Sequence, residues 1–329
     1  MKLNTNFFQI RKINLIVVIS LIFSLIVGNG IYGFGNDFRE IYFKENLNIA
    51  GWSDNLGWRI STLTIYGKHI GVHLVTFILA ISSGTLISIC LNDKKINNSF
   101  FFILIFIIIL HTWPIIMSTS NAMRQGITMS LIFLSLANLE NKNYFKSILF
   151  ILFSIFTHKS GILFFSTYIY FFLTKYISTK YILKNLKIKK NIYIFYLFCG
   201  LFLSLIFYFF LSGVVISDIQ KDSRVIYGDF RYHFLFISLC HLFIFTYKHR
   251  FLITYDICFF LYFFNFVSII FLILGLNWQY ERLMMMMTIP YILSFNVLLN
   301  QMSSYFFLTT VSILLLVMTI FNGMYQSLY

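Results

Sequence analysis

Five arginines, Arg39, Arg124, Arg224, Arg231 and Arg282, sit in or beside the polar connections between long apolar runs. Arg124 follows Ser118-Thr119-Ser120-Asn121-Ala122-Met123 at the predicted start of an apolar helix. A helix start attracts anions through its free amides and its dipole. A guanidinium added there can hold a phosphate with two parallel hydrogen bonds. The competing reading is an arginine that snorkels to lipid headgroups. Tyr280-Glu281-Arg282 opens a later apolar run in the same way, with Glu281 either neutralising Arg282 or lining a shared site. Arg224 and Arg231 flank Tyr227-Gly228-Asp229, and Arg39 lies in Asp37-Phe38-Arg39-Glu40. His158-Lys159-Ser160 interrupts an apolar run on both sides. Polar groups at membrane depth are costly without partners. A histidine there is a candidate general base because its pKa lies near ambient pH. A plain polar turn is the alternative.

Other reactive types give weaker signals. His69 and His73 stand four apart, a spacing that two metal ligands share, but no third ligand and no HExxH motif accompanies them. Cys90, Cys199, Cys240 and Cys258 all fall in apolar runs and form no CxxC pair, so they read as packing residues. His111 and His241 read as hydrogen-bonded groups inside a bundle. Asp256 is an acid inside an apolar stretch, with Lys248 or Arg250 as the nearest partners in sequence. No P-loop, GxSxG or dinucleotide glycine pattern occurs. The expectation is a site without metal or cofactor.

The elements that must position these residues are helices in a membrane. Fifty-nine per cent of the residues are apolar, 11% are charged, and Phe alone occurs 42 times. A soluble domain cannot cover that much apolar surface. A crossing helix needs about 20 apolar residues. Such runs lie near 13–29, 70–91, 99–116, 122–138, 147–157, 161–173, 192–212, 233–247, 251–275, 283–299 and 304–322. The pair 147–157 and 161–173 is short, and reads either as one broken helix or as a re-entrant pair. Barrel-type alternation is absent. The predicted fold is an all-α, polytopic transmembrane bundle of about 10–11 spans. It forms a single integral membrane domain over 1–329, with larger outer loops at 30–69 and 213–232. The basic start followed by an apolar run reads as an uncleaved anchor.

The formal charge of +14 raises the question of nucleic acid. Its distribution answers otherwise. Lys2, Arg11, Lys12, Lys94, Lys95, Lys142, Lys146, Lys175, Lys180, Lys184, Lys187, Lys189, Lys190, Lys248 and Arg250 all fall in alternate connections, accompanied only by Asp93 and Glu140. That is the positive-inside pattern with a cytoplasmic N-terminus. The Lys175–Lys190 run then faces anionic lipid as a topology determinant. The remaining connections are nearly balanced, with ten basic residues against eight acids. Yet they hold the five arginines, on the face that positive-inside disfavours. An anionic ligand at the outer leaflet, a lipid diphosphate or an acidic glycan, fits that need. Trp52, Trp58, Trp113, Tyr227, Trp278 and Tyr280 lie nearby, as sugar-stacking rings or as an ordinary aromatic belt.

Asn121-Ala122-Met123-Arg124-Gln125-Gly126, a Lys-bearing turn at Asn141–Lys146, and Phe156-Thr157-His158-Lys159-Ser160-Gly161 together resemble the EpsG/Wzy family of membrane polysaccharide polymerases. That family shows Arg-Gln at the start of one span and Phe-His-x-Ser near the next hairpin tip; here Thr157 is inserted. The Asp37–Tyr42 segment is similar to its first outer loop. The resemblance covers about 130 residues by motif.

The resemblance implies a GT-C-like fold in the bacterial inner membrane with its site facing the periplasm. It implies glycosyl transfer without a metal. The donor is a glycan on undecaprenyl diphosphate and the acceptor is one lipid-linked repeat unit, leading to O-antigen, capsule or exopolysaccharide. A chain-length regulator is a compatible partner, and nucleic acid is not. Arg124, Arg282 and His158 are then the catalytic candidates, the arginines holding the leaving diphosphate and His158 acting as base. Asp37, Arg39, Arg224, Arg231, Lys159, Tyr280 and Glu281 are candidates for substrate binding. A repeat-unit flippase or another lipid-linked glycosyltransferase is the alternative. Inverted halves and charges midway along spans, which a transporter predicts, are not evident.

Overall fold

The computed structural model describes residues 2–32, 34, 38–39, 56–66, 68–92, 99–120, 122–178, 192–214, 231–252, 255–298, 309–310 and 313. Its helices are α1 (Lys2–Gly28), α2 (Leu56–Ser61), α3 (Gly71–Asn92), α4 (Ser99–Leu110), α5 (Trp113–Ser120), α6 (Met123–Glu140), α7 (Tyr144–Ile155), α8 (Ser160–Ile177), α9 (Ile192–Val214), α10 (Arg231–Leu252), α11 (Asp256–Ile273) and α12 (Asn277–Leu298). Between α2 and α3, β1 (Thr64–Ile65) pairs antiparallel with β2 (Lys68–His69). The chain is an all-α polytopic membrane protein apart from this short pair. Residues 71–91 of α3 and all of α11 are long and apolar enough to cross a membrane alone.

Contacts cluster into two compact units, residues 1–161 with 299–329, and residues 162–298. In the first, α3 lies between α1 and α6, and α7 returns along α6. Hydroxyls dominate these seams. Ser24 Oγ donates to the His73 carbonyl (2.8 Å), and His73 Nδ1 meets the Ser24 carbonyl (3.1 Å). Ser135 and Ser147 exchange hydroxyl-to-carbonyl bonds of 2.9 and 2.8 Å between α6 and α7. Small side chains let helix backbones approach, and these hydroxyls find carbonyl acceptors across the seams.

The second unit is built around α11. Phe259, Phe260, Phe263 and Phe264 are buried there, and Phe171, Tyr196 and Phe245 pack their rings on Phe259. Asn265 sits in this aromatic core. Its side-chain oxygen accepts from Ser238 and Tyr291 (both 2.5 Å), and its amide nitrogen meets His241 Nδ1 (3.1 Å). Three helices are thereby tied through one side chain.

Two expectations need correction, and two open questions gain an answer. The run 99–116 is two helices, α4 and α5, bent by 55°. Pro114 is the second residue of α5, where a missing amide is tolerated at a helix start but not inside a continuous helix. The runs 147–157 and 161–173, read as either one broken helix or a re-entrant pair, are two helices joined by a turn over 156–159. At 12 residues α7 is about 18 Å long, well short of a bilayer core. Asp256 pairs with Lys175 of α8, a partner 81 residues away in the chain; the side chains of Lys248 and Arg250 lie outside the described residues. Finally, α12 begins at Asn277, so Arg282 is its sixth residue and lies beyond the four orphan amides of the helix start.

Candidate functional site

Arg124 is the second residue of α6, within the first turn where amides lack intrahelical partners. The N-cap is Ala122, whose methyl offers no acceptor to those amides. The guanidinium is half-buried and lies over the Trp58 ring of α2, 5.4 Å from its centroid. A cation over an indole face is attracted by the ring's electronegative surface, which holds Arg124 at this end of α6.

The turn over 156–159 closes the other side. Thr128, one helical turn after Arg124, donates to the Arg124 carbonyl (3.0 Å) and shares a 2.7 Å hydrogen bond with the Thr157 hydroxyl. Gly57, next to Trp58, rests directly on the Thr157 carbonyl, with no room for a Cβ. The start of α6, α2 and the turn are therefore one packed cluster within the first unit, and a glycine is required where two backbones meet. His158 follows. Its Nδ1 accepts from the Ser160 amide (3.2 Å) and meets the Ser160 hydroxyl (2.9 Å). An amide can only donate, so the proton of the neutral ring is assigned to Nε2. His158 is half-buried and Lys159 exposed.

Gly126 places the start of α3 at this same end, because it lies against the Ser118 carbonyl and 3.1 Å from Val75 Cγ1 by its added Cβ. Arg39 joins from the segment between α1 and α2. Its neighbour Phe38 is buried and meets the His69 ring edge-on at 4.9 Å, while Arg39 itself is exposed. His69 and His73 thus serve packing, His73 through Ser24 and His69 through Phe38, and among the described residues no group of three potential metal ligands exists.

Tyr280, Glu281 and Arg282 belong to the second unit, in the first turns of α12. Tyr280 is 0% exposed, and burial pushes its phenol above the ordinary tyrosine range. Glu281 and Arg282 are half-buried. Arg231 opens α10, with its side chain outside the described residues, as are Asp37 and Arg224 altogether.

The structure thus gathers Arg39, Arg124, His158 and Lys159 at one end of one unit. It adds Trp58, Thr128 and Thr157, of which Trp58 and Thr157 are already visible in the sequence, one as an aromatic and one as the insertion in the hairpin motif. The spacing of Arg124 and Thr128 by four was the available signal for one of the threonines.

The model of the EpsG family matches residues 13–328. The chain belongs to the EpsG family. This is the family of Wzy-like polysaccharide polymerases. No curated protein and no solved structure matches the chain. Membership in the EpsG family extends over both units, and the Arg124 cluster lies within the matched span.

Proposed function

We propose that this EpsG-family protein polymerises undecaprenyl-diphosphate-linked oligosaccharide repeat units on the periplasmic face of the bacterial inner membrane. The observation that carries the reading is Arg124, held at a helix start with its guanidinium over the Trp58 ring, beside the His158 turn. A hydroxyl of the acceptor repeat unit attacks the anomeric carbon of the donor glycan. The bond from that carbon to the donor diphosphate breaks. The products are the extended glycan, the free lipid diphosphate and one proton. Negative charge grows on the diphosphate as the bond breaks, and preorganised donors aimed at developing charge are the largest catalytic term in such sites. Arg124 supplies that stabilisation.

The assigned Nε2–H makes neutral His158 a donor toward the diphosphate or a sugar hydroxyl, a role its geometry serves better than that of base. Arg39 and Lys159 add positive potential at the same end. Arg282 with Glu281 and Tyr280, and Arg224, Arg231 and Asp37, are further substrate contacts in this reading. A cavity of about 390 Å³ between α8 and α9, lined by Ile162, Phe165, Ile169, Leu173, Phe207 and Phe210, suits a hydrocarbon segment of the lipid.

The test is a gel of lipid-linked glycan from cells lacking the gene, complemented with wild type, Arg124→Ala or His158→Ala at matched protein levels. Polymerisation predicts a ladder with wild type and a single-repeat band with Arg124→Ala. Full ladders from both variants would remove these residues from the site. Intermediates trapped on the cytoplasmic side in the deletion strain would point to export instead.

A further inference from the structure

The hairpin between α2 and α3 carries a residue that folding alone would not select. The Leu63 carbonyl accepts from the amides of Ile70 (2.9 Å) and Gly71 (3.0 Å), and Ile65 pairs with Lys68. This register places Tyr66, directly after Ile65, at the tip. Two-residue hairpins favour primed turns, whose first tip residue has positive φ, and glycine, asparagine or aspartate normally fills it. Tyr66 fills it here, with φ 51°. That region crowds the Cβ of a bulky residue. Packing does not compensate, because Tyr66 is 99% exposed. A strained backbone with no return in burial points to a use outside the chain.

The position of the hairpin indicates the use. It leads directly into α3, whose first turn touches the first turn of α6 through Val75 and Gly126. It follows α2, which holds Trp58 on Arg124. The phenol ring is therefore displayed on a backbone pinned at both ends, at the same end of the same unit as the Arg124 cluster.

We propose that Tyr66 is a sugar-stacking platform, whose ring takes the aliphatic C–H face of a pyranose in the lipid-linked glycan. This rests on the polymerase reading and adds a specific subsite to it. The face of an aromatic ring is electronegative and attracts polarised C–H groups, while covering that face excludes water. A tyrosine also presents this area with only two rotatable side-chain bonds, so little freedom is lost on binding. Anchoring in lipid asks only for hydrophobic area, and the exposed Leu63 and Ile65 already supply it beside the tip.

The experiment compares Tyr66→Gly, Tyr66→Leu, Tyr66→Phe and Tyr66→Trp in the complemented deletion strain. It reads glycan ladder length, and KM and kcat for the lipid-linked repeat unit in membranes containing the full chain. Tyr66→Phe and Tyr66→Trp are expected to match wild type. Tyr66→Gly and Tyr66→Leu are expected to raise KM roughly tenfold with kcat little changed, the mark of lost binding shared by ground and transition states. Tyr66→Gly should melt no lower than wild type, since glycine accepts positive φ freely, so its defect would not be a folding defect. Wild-type kinetics from Tyr66→Gly would make Tyr66 a turn residue only. Wild-type kinetics from Tyr66→Leu with loss in Tyr66→Gly would make it a lipid anchor. Either result overturns the platform and leaves the polymerase reading standing. A ladder that persists in the deletion strain would overturn both.

Discussion

Two histidines, one in each unit, show what separates a candidate site from a structural polar cluster in this protein. His241 lies in the core of the second unit, with Nδ1 on Asn265 and its ring against Tyr291, Phe245 and Phe295. Asn265 in turn serves Ser238 and Tyr291, so hydrogen bonds and rings enclose the group. His158 lies in a turn of the first unit. Its Nδ1 is satisfied by the amide two residues on, and the half-buried ring stands beside exposed Lys159. Both histidines are hydrogen-bonded, as polar groups in a membrane bundle must be. The difference lies in what surrounds them. A network closed on every side ties helices together, whereas a half-buried group in a turn beside exposed Lys159 stands nearer to where a ligand would arrive.

Substitutions that break structure and those that break chemistry should therefore separate along this line. The largest effect is expected from Lys175→Met in the second unit. It leaves Asp256, 0% exposed, without its cationic partner. Breaking a buried pair from one side costs about 3–5 kcal/mol, so the thermal midpoint in detergent should fall sharply. Lys175→Met with Asp256→Asn should recover part of the fall; equal midpoints for wild type and Lys175→Met would show that the pair does not hold α8 to α11.

Arg124→Ala comes next, and its effect belongs to activity. Loss of one preorganised donor to developing charge costs about 3 kcal/mol in the barrier, or roughly a hundredfold in rate. The melting curve should barely move. A fall in stability as large as that in rate would place Arg124 with the structural residues and erase the contrast.

Asn265→Leu tests the enclosed network. It strands two hydroxyls and the His241 acceptor in an apolar core, and leaving such groups unmade costs about 1–3 kcal/mol. Stability measured by detergent melting should drop, while polymer made per folded molecule should hold. A normal melt with lost polymer would reverse the assignment of this network. The smallest effect belongs to Thr128→Val, which removes the 2.7 Å bond to Thr157 that ties the first turn of α6 to the His158 turn. About 1 kcal/mol is at stake. Its signature should be a severalfold loss of rate exceeding any change in melting, because the bond aligns Arg124 with His158; a loss confined to stability would make it a packing bond only.

Much of this was legible in the chain itself. The apolar runs mark α3 and α9 closely, and Pro114 marks the bend between α4 and α5 once its place at a helix start is recognised. The start of α12 was misplaced because hydropathy sees the apolar run from 283, whereas the helix begins in the polar turn Asn277-Trp278-Gln279. Burial periodicity cannot detect a helical turn that lies outside the apolar layer.

Composition and pattern by themselves determined that this chain is a helical membrane protein, that Arg124 opens a helix, and that His158 interrupts an apolar run. These properties follow from local hydropathy and charge, which act through the nearest neighbours in the chain. Only the tertiary structure decided that Trp58 carries Arg124, that Gly57 seats α2 on the Thr157 carbonyl, and that Asp256 reaches across 81 residues to Lys175. Such partners are chosen by which faces of distant helices come together, and the energy of that choice lies in contacts that no local segment contains.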